Sequence, residues 1–365
     1  MNIKANLKYV LTGSIAFLAI YMFVAAKPMG SDIYFEPAWT TNLENTQDPG
    51  ETAPKTPPEA FKQAGVEAFM LGERYGFFTA DGKILSSYAT PNRVSATPVA
   101  WATYPEDARD TIVRTPDGSP RMTVSGSGFV HLDGDRTFLF LPGGDAVSQY
   151  GEGGRLLWTR EHIAPITAFN SSPAGTVMGY ADGYLACVAP DGTERFGFYP
   201  GGSDREVIFG AALSEDGKLT ACVSGIDRQR FILVRASGGQ HKIIYHTYLK
   251  GNLRRQAFVD FEKGGNFAFF ESDGRLGIFD CKKNEASGIP VYGEVVAAGE
   301  CPGAALFMVL VKNGSRYTLS AIERPDHLVA SVNFNANDAF LIQREGAIYL
   351  GTDGSISRID IRGLK

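Results

Sequence analysis

The sequence predicts an all-β fold, a β-propeller of four-stranded blades, because short turn signals recur along it at near-constant spacing. The second residues of six such turns are 41, 42, 48, 38 and 35 positions apart. Short apolar, β-forming runs flank the turns, and 42 glycines suit a chain with many tight turns. A strand-built repeat near 40 residues is typical of propeller blades. The six signals are Asp133-Gly134, Ala174-Gly175, Asp216-Gly217, Gly264-Gly265, Pro302-Gly303 and Asn337-Asp338.

Residues 207–248 show the clearest blade, with four strands here named A to D. VIFGAAL, KLTACVSG, FILVRA and HKIIYHTY are separated by polar turns rich in Asp and Gly. Copies of this order predict seven blades, and six or eight stay open. The first copy, EAFMLGERYGFFTADGKILSSY, fits strands B, C and D, and the last begins at Val329. The Pro-rich residues 89–121 between the first two copies are interpreted as a long loop.

An N-terminal strand is expected to close the ring by pairing with the last blade, because an open ring leaves a strand edge unpaired. Residues 33–35 and Trp39 are the segment that could dock in this way. They interrupt residues 27–62, a stretch rich in Pro, Thr and Glu that is interpreted as a tether, since it offers little apolar surface to bury. The propeller is then assigned to residues 63–365.

The N-terminal residues predict a membrane anchor ahead of the tether. Eighteen uncharged residues, 9–26, separate Lys8 from Lys27 and at about 1.5 Å per residue would reach roughly 27 Å as a helix. Basic residues precede this run and mixed charges follow it, which favours a cytoplasmic tail at residues 1–8 and a propeller on the extracytoplasmic, periplasmic side. The alternative is a signal peptide cleaved near Val24-Ala25-Ala26.

The charge and the cysteine content of the sequence limit which partners and cofactors are expected. The net charge of −5 argues against nucleic acid as the main ligand. Four cysteines lie far apart without a CxxC pair, so we expect neither a metal site nor a cofactor. Most of these thiols should be small buried side chains. Cys281 and Cys301 fall in turns of one face and form the one disulfide worth testing.

The repeat unit Gly-x-aliphatic, then Asp-Gly or Gly-Gly, then an aromatic residue resembles the pyrroloquinoline-quinone-type and WD-like propeller repeats. Three stretches carry the resemblance: residues 183–196, 153–158 and 346–354. It implies a propeller and a habit of binding. Exported, anchored members of the superfamily include a subunit of outer-membrane protein assembly, which has a lipidated cysteine where this chain has none. Quinoprotein chemistry is not implied, because vicinal cysteines are missing.

Basic residues are expected on the face formed by the B–C loops and D–A connections. Such an arc could engage an acidic partner, an anionic glycan or phospholipid headgroups through the planar donors of arginine. The alternative is an ordinary solvated surface, offset by Asp204, Glu206, Asp227, Glu271 and Asp273. The arc comprises Arg74, Arg228, Arg230, Lys250, Arg254, Arg255, Arg275, Arg316 and Arg344.

No catalytic residue is assigned. His131 beside Asp133 and Asp135 is better explained as part of a hairpin turn, and no Gly-x-Ser-x-Gly, HExxH or phosphate-loop pattern is present. The predicted function is therefore a membrane-tethered, non-catalytic scaffold that binds another envelope or membrane protein. Two alternatives stay open: a hydrolase or lyase of envelope polysaccharide that uses Glu161, His162 or Asp204, and a sensor of a small ligand in the central channel.

Overall fold

A computed structural model of the protein describes residues 33–43, 57–62, 65–237, 239–304 and 306–363. In this part the chain forms 31 β-strands in eight sheets and two short 3-10 helices, Pro58–Lys62 and Glu152–Gly154. The first half of the strands, in chain order, is β1 (Tyr34–Asn42), β2 (Glu67–Leu71), β3 (Arg74–Phe78), β4 (Ile84–Ala89), β5 (Arg93–Thr97), β6 (Ala100–Tyr104), β7 (Asp110–Arg114), β8 (Pro120–Ser125), β9 (Phe129–Asp133), β10 (Arg136–Phe140), β11 (Ala146–Tyr150), β12 (Leu156–Glu161), β13 (Ile166–Ser172), β14 (Gly175–Tyr180), β15 (Leu185–Val188) and β16 (Glu194–Phe198).

The second half completes the ring. It consists of β17 (Ile208–Leu213), β18 (Leu219–Ser224), β19 (Arg230–Ser237), β20 (Gln240–Tyr248), β21 (Val259–Phe261), β22 (Phe267–Ser272), β23 (Arg275–Asp280), β24 (Glu285–Pro290), β25 (Glu294–Cys301), β26 (Leu306–Asn313), β27 (Arg316–Glu323), β28 (His327–Asn335), β29 (Ala339–Arg344), β30 (Ala347–Thr352) and β31 (Ser355–Arg362).

Each sheet is one propeller blade of antiparallel strands. Blade 1 contains β2–β4, blades 2 to 7 contain the next six groups of four strands, and blade 8 contains β29–β31 together with β1. The first strands of neighbouring blades contact one another, so strand A of a blade lies nearest the axis and strand D lies outermost. B–C loops and D–A connections share what we call the upper face, and A–B and C–D turns share the lower face.

The N-terminal strand closes the ring. β1 pairs antiparallel with β31, from Tyr34 opposite Arg362 to Asn42 opposite Ser355, and so supplies strand D of blade 8. The expectation of an N-terminal closing strand is confirmed. Tyr34–Asn42 had been assigned by composition to the tether of residues 27–62, but its alternating apolar side chains pack against the last blade.

The described residues form eight blades, so the prediction of seven is wrong. Residues 89–121, interpreted as a loop, contain β5 to β7 and the start of β8, which together make blade 2. Its prolines lie in connections, except that Pro120 is the first residue of the outermost strand, where a missing N–H removes no inner ladder bond. Proline content therefore hid four short strands.

The sequence predicts the strands of the first blade correctly, but it places the start of the last blade too early. Blade 1 consists of strands B, C and D. β2 runs from the lower face to the upper face, which is the direction of a strand B. At its lower end Glu67 pairs with Arg344, and just past its upper end the Gly72 amide donates to Asp338 at 2.6 Å. The last blade starts later than predicted. β28, which includes Val329, is strand D of blade 7, and the A–B turn of blade 8 is Glu345-Gly346 instead of Asn337-Asp338.

The predicted N-terminal helix is also corrected. In the described ranges no helix has the length and apolar character needed to cross a bilayer. The proposed span, residues 9–26, lies outside those ranges, as do the tail and most of the tether. The prediction of a single-pass membrane protein with an extracytoplasmic propeller depended on that helix and is withdrawn.

A tryptophan and a glycine join neighbouring blades at two places. Trp158 on β12 of blade 3 lies over Gly192, in the C–D turn of blade 4, and Trp39 on β1 of blade 8 lies over Gly82, in the C–D turn of blade 1. Both glycines have positive φ, +84° and +88°, and a Cβ there would come within 2.5 and 2.7 Å of the tryptophan side chain. Only glycine permits this close approach.

Candidate binding face

Eight of the nine residues of the predicted basic arc lie on the upper face. Arg74, Arg275 and Arg316 begin strand C of blades 1, 6 and 7, where a B–C loop returns into the sheet. Arg228 and Arg230 occupy the same region of blade 5. Lys250, Arg254 and Arg255 lie in the connection from blade 5 to blade 6.

Arg344 is the exception and belongs to the lower face. It ends β29, which is strand A of blade 8 and not strand B as the sequence suggested. Its guanidinium binds Glu67 through two hydrogen bonds of 2.5 Å, and the Glu67 side chain is 5% exposed. Arg344 therefore joins blade 8 to blade 1 and is removed from the arc.

Two arc residues on the upper face hold the fold together. Arg230 is buried and donates to the carbonyl oxygen of Pro200, in the connection from blade 4 to blade 5. Arg255 binds both oxygens of the buried Glu271, at 2.9 and 2.5 Å. The Glu271 carboxylate also accepts the amides of Phe258 and Val295, at 3.1 Å each. Arg255 therefore serves to neutralise a buried carboxylate.

The remaining arc residues offer charge to solvent. Arg228 stacks its guanidinium 4.6 Å from the ring centre of Tyr248, and Arg275 donates one hydrogen bond of 2.7 Å to the carbonyl oxygen of Gly288. Lys250, Arg254 and Arg316 are exposed and form no ion pair with any residue of the described ranges. Apart from Arg74, these free cations lie on blades 5 to 7.

Sequence reasoning missed three exposed tyrosines between these cations. Tyr199, Tyr248 and Tyr292 follow or end strand D of blades 4, 5 and 6, so each reaches the upper face at an equivalent place. They are 51%, 45% and 80% exposed. A tyrosine followed within three residues by glycine, in YPG, YLKG and YG, was the available signal. We call Tyr199, Tyr248, Tyr292, Arg228, Lys250, Arg254, Arg275 and Arg316 the tyrosine–arginine arc.

A histidine–aspartate pair lies at the blade 4 end of this arc. His162 Nε2 is 2.8 Å from Asp182 Oδ2, and the Tyr199 hydroxyl donates to the same oxygen at 3.2 Å. The imidazole stacks on Tyr184 with ring centres 4.9 Å apart. Burial alone would raise the pKa of Asp182, but the hydrogen bond from His162 and the Tyr184 amide hold that pKa below its usual value.

The contacts of His162 are relevant to the alternative of a hydrolase or lyase. His162 is oriented by Asp182, whereas Glu161 and Asp204, the carboxylates suspected from sequence, are exposed on the upper face. The His131 neighbourhood is structural as well. The Asp133 carboxylate accepts the Ser171 hydroxyl and lies 3.1 Å from Arg136, while burial lowers the pKa of His131. In the described ranges no group of three metal-ligating side chains comes together.

Two cavities open between the innermost strands. The upper one, about 210 Å³, is lined from blades 4 to 7 and includes Phe169, Arg255 and Glu294. The lower one, about 180 Å³, is lined from blades 3 to 6 and includes Arg136 and Asp260. Burial raises the pKa of Asp260 to about 6, and the negative charge of Asp133 on blade 3 adds to that effect.

The predicted disulfide is not formed. All four cysteines are free. Cys281 packs with the cluster of blades 5 and 6, whereas Cys301 is buried in the cluster of blades 7 and 8. Burial raises the pKa of Cys187 and Cys222 to about 12, as expected of thiols that serve as small core side chains.

A family model described as beta-propeller protein matches residues 1–365. The chain belongs to the β-propeller proteins. A Treponema pallidum (strain Nichols) protein described as uncharacterized is 42% identical over 364 residues, which cover 100% of this chain and 97% of the relative. The propeller architecture and the family are thus established together.

Solved propellers share the fold at low sequence identity. BamB from Moraxella catarrhalis superposes with a TM-score of 0.62 and 10% identity, over 90% of this chain and 100% of that one. The Dos1 propeller gives a TM-score of 0.58 and 12% identity, over 89% and 95%. A chain of the mitotic checkpoint complex gives 0.53 and 14%, over 73% and 89%. These likenesses concern the fold alone.

Proposed function

We propose that this β-propeller is a non-catalytic platform that binds another protein through the tyrosine–arginine arc. The observation that carries the proposal is the exposure of one tyrosine at the end of strand D in each of three consecutive blades, with free arginines between them. Tyrosine and arginine dominate the energetics of protein interfaces, because both bury large areas and still form directed polar contacts. In a monomer, the three tyrosine rings keep about half or more of their surface exposed to solvent.

Charge suggests the nature of the partner. Arg228, Lys250, Arg254 and Arg275 place positive charges along the arc that form no ion pair with the described residues, although Asp227 and Asp273 lie in the same loops and the net charge of the chain is −5. Such a local patch attracts an acidic protein surface and orients it during encounter. A nucleic acid would meet overall repulsion away from the arc, so a protein partner fits better.

The internal pairing of reactive groups supports a binding role over a catalytic one. Glu271 is bound by Arg255 and two backbone amides, and Asp182 is bound by His162 and Tyr199. A carboxylate held in this way is a poor general base, because its lone pairs are already engaged in hydrogen bonds. Both groups instead fix the loops that carry the arc.

Site-specific photo-crosslinking tests the proposal. A photoreactive phenylalanine analogue replaces Tyr248 on the upper face of blade 5, and in the matched control it replaces Glu215 in the lower-face A–B turn of the same blade. We expect one defined adduct from position 248 in cells of the source organism and none from position 215. Replacing Tyr199 and Tyr292 by serine should reduce the adduct at least fivefold. Equal labelling from both faces would contradict the proposal.

A further inference from the structure

A groove of about 580 Å³ opens on the side of the ring between blades 6 and 7. Blade 6 contributes the end of β24 and the following connection, including Ile289, Val291 and Tyr292. Blade 7 contributes one face of its outer strands β27 and β28. The Ser287 hydroxyl donates to the carbonyl oxygen of Pro325 at 3.3 Å and joins the two blades near the lower end of the groove.

The floor of the groove is polar. Thr318 and Ser320 alternate along β27 and face Asn333 and Ser331 of β28, as residues two apart in a strand must. The Thr318 hydroxyl donates to Asn333 Oδ1 at 2.7 Å, and the hydroxyls of Ser320 and Ser331 lie 3.3 Å apart. Small hydroxyl and amide side chains leave room above the sheet and offer donors and acceptors to a backbone laid along it.

The two ends of the groove carry opposite charges. Arg316 begins β27 at the upper end, and Asp326 lies in the C–D turn at the lower end. Both line the groove, and neither forms an ion pair with another residue of the described ranges. The eight residues of β27 span roughly 26 Å at about 3.3 Å per residue, which is the length of an extended peptide of similar size.

Apolar side chains complete the rim and should be covered. Tyr292 at the upper end is 80% exposed, and Leu328 at the lower end is 51% exposed. Behind them, Ile289 and Val291 of blade 6 form a buried apolar wall. The order from top to bottom is thus a cation with an aromatic ring, a polar floor, and an aliphatic side chain with an anion.

We propose that this groove binds an extended peptide segment of the partner protein. The segment would place a carboxylate against Arg316, an apolar side chain against Tyr292 or Leu328, and a basic side chain near Asp326. Because Tyr292 and Arg316 also belong to the tyrosine–arginine arc, the inference rests on the proposed function and specifies the kind of segment that the partner offers. Charge complementarity at both ends fixes the direction in which the segment lies.

A display experiment with a charge reversal tests the inference on the full chain. Phage that display random decapeptides are selected on the wild-type protein and on Arg316→Glu, with Arg74→Glu as the matched control, because Arg74 begins strand C of blade 1 as Arg316 begins strand C of blade 7 and lies outside the tyrosine–arginine arc. The wild type and Arg74→Glu should enrich peptides with an acidic residue and a basic residue separated by apolar positions. Arg316→Glu should lose these peptides and enrich others with a basic residue in place of the acidic one.

Affinities then decide the assignment. The best peptide, labelled with fluorescein, should bind wild-type protein at least tenfold more tightly than Arg316→Glu or Thr318→Trp, which fills the groove. No enrichment, or the same peptides on all variants, would overturn the inference while leaving crosslinking at position 248 intact. A wild-type dimer in sedimentation that Arg316→Glu abolishes would also overturn it, by assigning the groove to a second copy of this chain.

Discussion

The interface between blades 8 and 1 and that between blades 3 and 4 are built from the same packing unit. In both, a strand D tryptophan covers an Asp-Gly turn of the next blade, Trp39 over Gly82 and Trp158 over Gly192. The first interface joins chain segments 277 residues apart, and the second joins successive blades. Closing the ring thus requires no special architecture, because a strand from the N-terminus reproduces an ordinary blade contact.

Polar contacts distinguish the two interfaces. At the closing interface Trp39 Nε1 donates to the carbonyl oxygen of Ala80 at 3.1 Å, and Arg344 pairs with the buried Glu67. At the ordinary interface the buried Trp158 Nε1 has no partner in the described ranges, and Arg160 of blade 3 pairs with Glu194 of blade 4, whose side chain is 38% exposed. The closing interface therefore depends more on directed, desolvated contacts.

The largest expected effect follows from breaking the ion pair of the closing interface. Arg344→Met leaves the Glu67 carboxylate buried without a cation, and removing one partner of a buried pair costs about 3 kcal/mol. Arg160→Met at the ordinary interface should cost about 1 kcal/mol or less, because Glu194 remains partly solvated. Urea unfolding of both variants at pH 7 measures the difference.

A second replacement controls for lost packing. Glu67→Gln in the Arg344→Met background removes the buried charge and should restore more than half of the lost free energy of unfolding. Equal destabilisation by Arg344→Met and Arg160→Met would contradict the distinction between the two interfaces.

Asp260 provides the contrasting case of a carboxylate without a cation. Burial raises its pKa to about 6, whereas an aspartate in the unfolded chain titrates near 3.9. Between these pH values the folded protein binds more protons than the unfolded one, so the free energy of unfolding falls as pH rises from 4 to 6. The loss amounts to about 2 to 3 kcal/mol and is complete above pH 6.

Asp260→Asn should remove this dependence. The variant is expected to match wild type near pH 4 and to exceed its stability by about 2 kcal/mol at pH 7, measured by urea unfolding across the range. The double variant Arg344→Met, Glu67→Gln should keep the slope, because it removes the buried charge at the closing interface and leaves Asp260 unchanged. A stability difference between wild type and Asp260→Asn that stays constant between pH 4 and 6 would be incompatible with a raised pKa at Asp260.

The fold was predictable where turn chemistry and strand length are regular. Blades 3 to 6 each carry an Asp-Gly, Ala-Gly or Gly-Gly turn between strands A and B, because a tight turn there needs positive φ. Blade 2 has Pro98 and Val99 at that place, so its rhythm was invisible. In blade 8, Asn337-Asp338 resembles an A–B turn in sequence but lies in the connection from blade 7, and the A–B turn is Glu345-Gly346.

The site was less predictable, because charge does not reveal its partner. Arg230, Arg255 and Arg316 look alike in sequence, yet the first binds a backbone carbonyl, the second a buried glutamate, and the third none of the described residues. Only the tertiary arrangement separates them. The tyrosines were overlooked for a related reason: whether a tyrosine near the end of strand D is exposed depends on where that strand ends in the folded blade.

The smallest expected effect comes from a hydrogen bond that Trp39 forms and Trp158 does not. Trp39→Phe and Trp158→Phe remove the same ring volume over equivalent glycines, but only Trp39→Phe removes a donor that is bound, to the Ala80 carbonyl oxygen. That oxygen keeps a second donor, Arg358 at 3.0 Å, so the loss should be about 1 kcal/mol. Trp39→Phe should therefore destabilise by about 1 kcal/mol more than Trp158→Phe in urea unfolding at pH 7. If Trp158→Phe costs as much or more, packing and not the hydrogen bond distinguishes the closing interface.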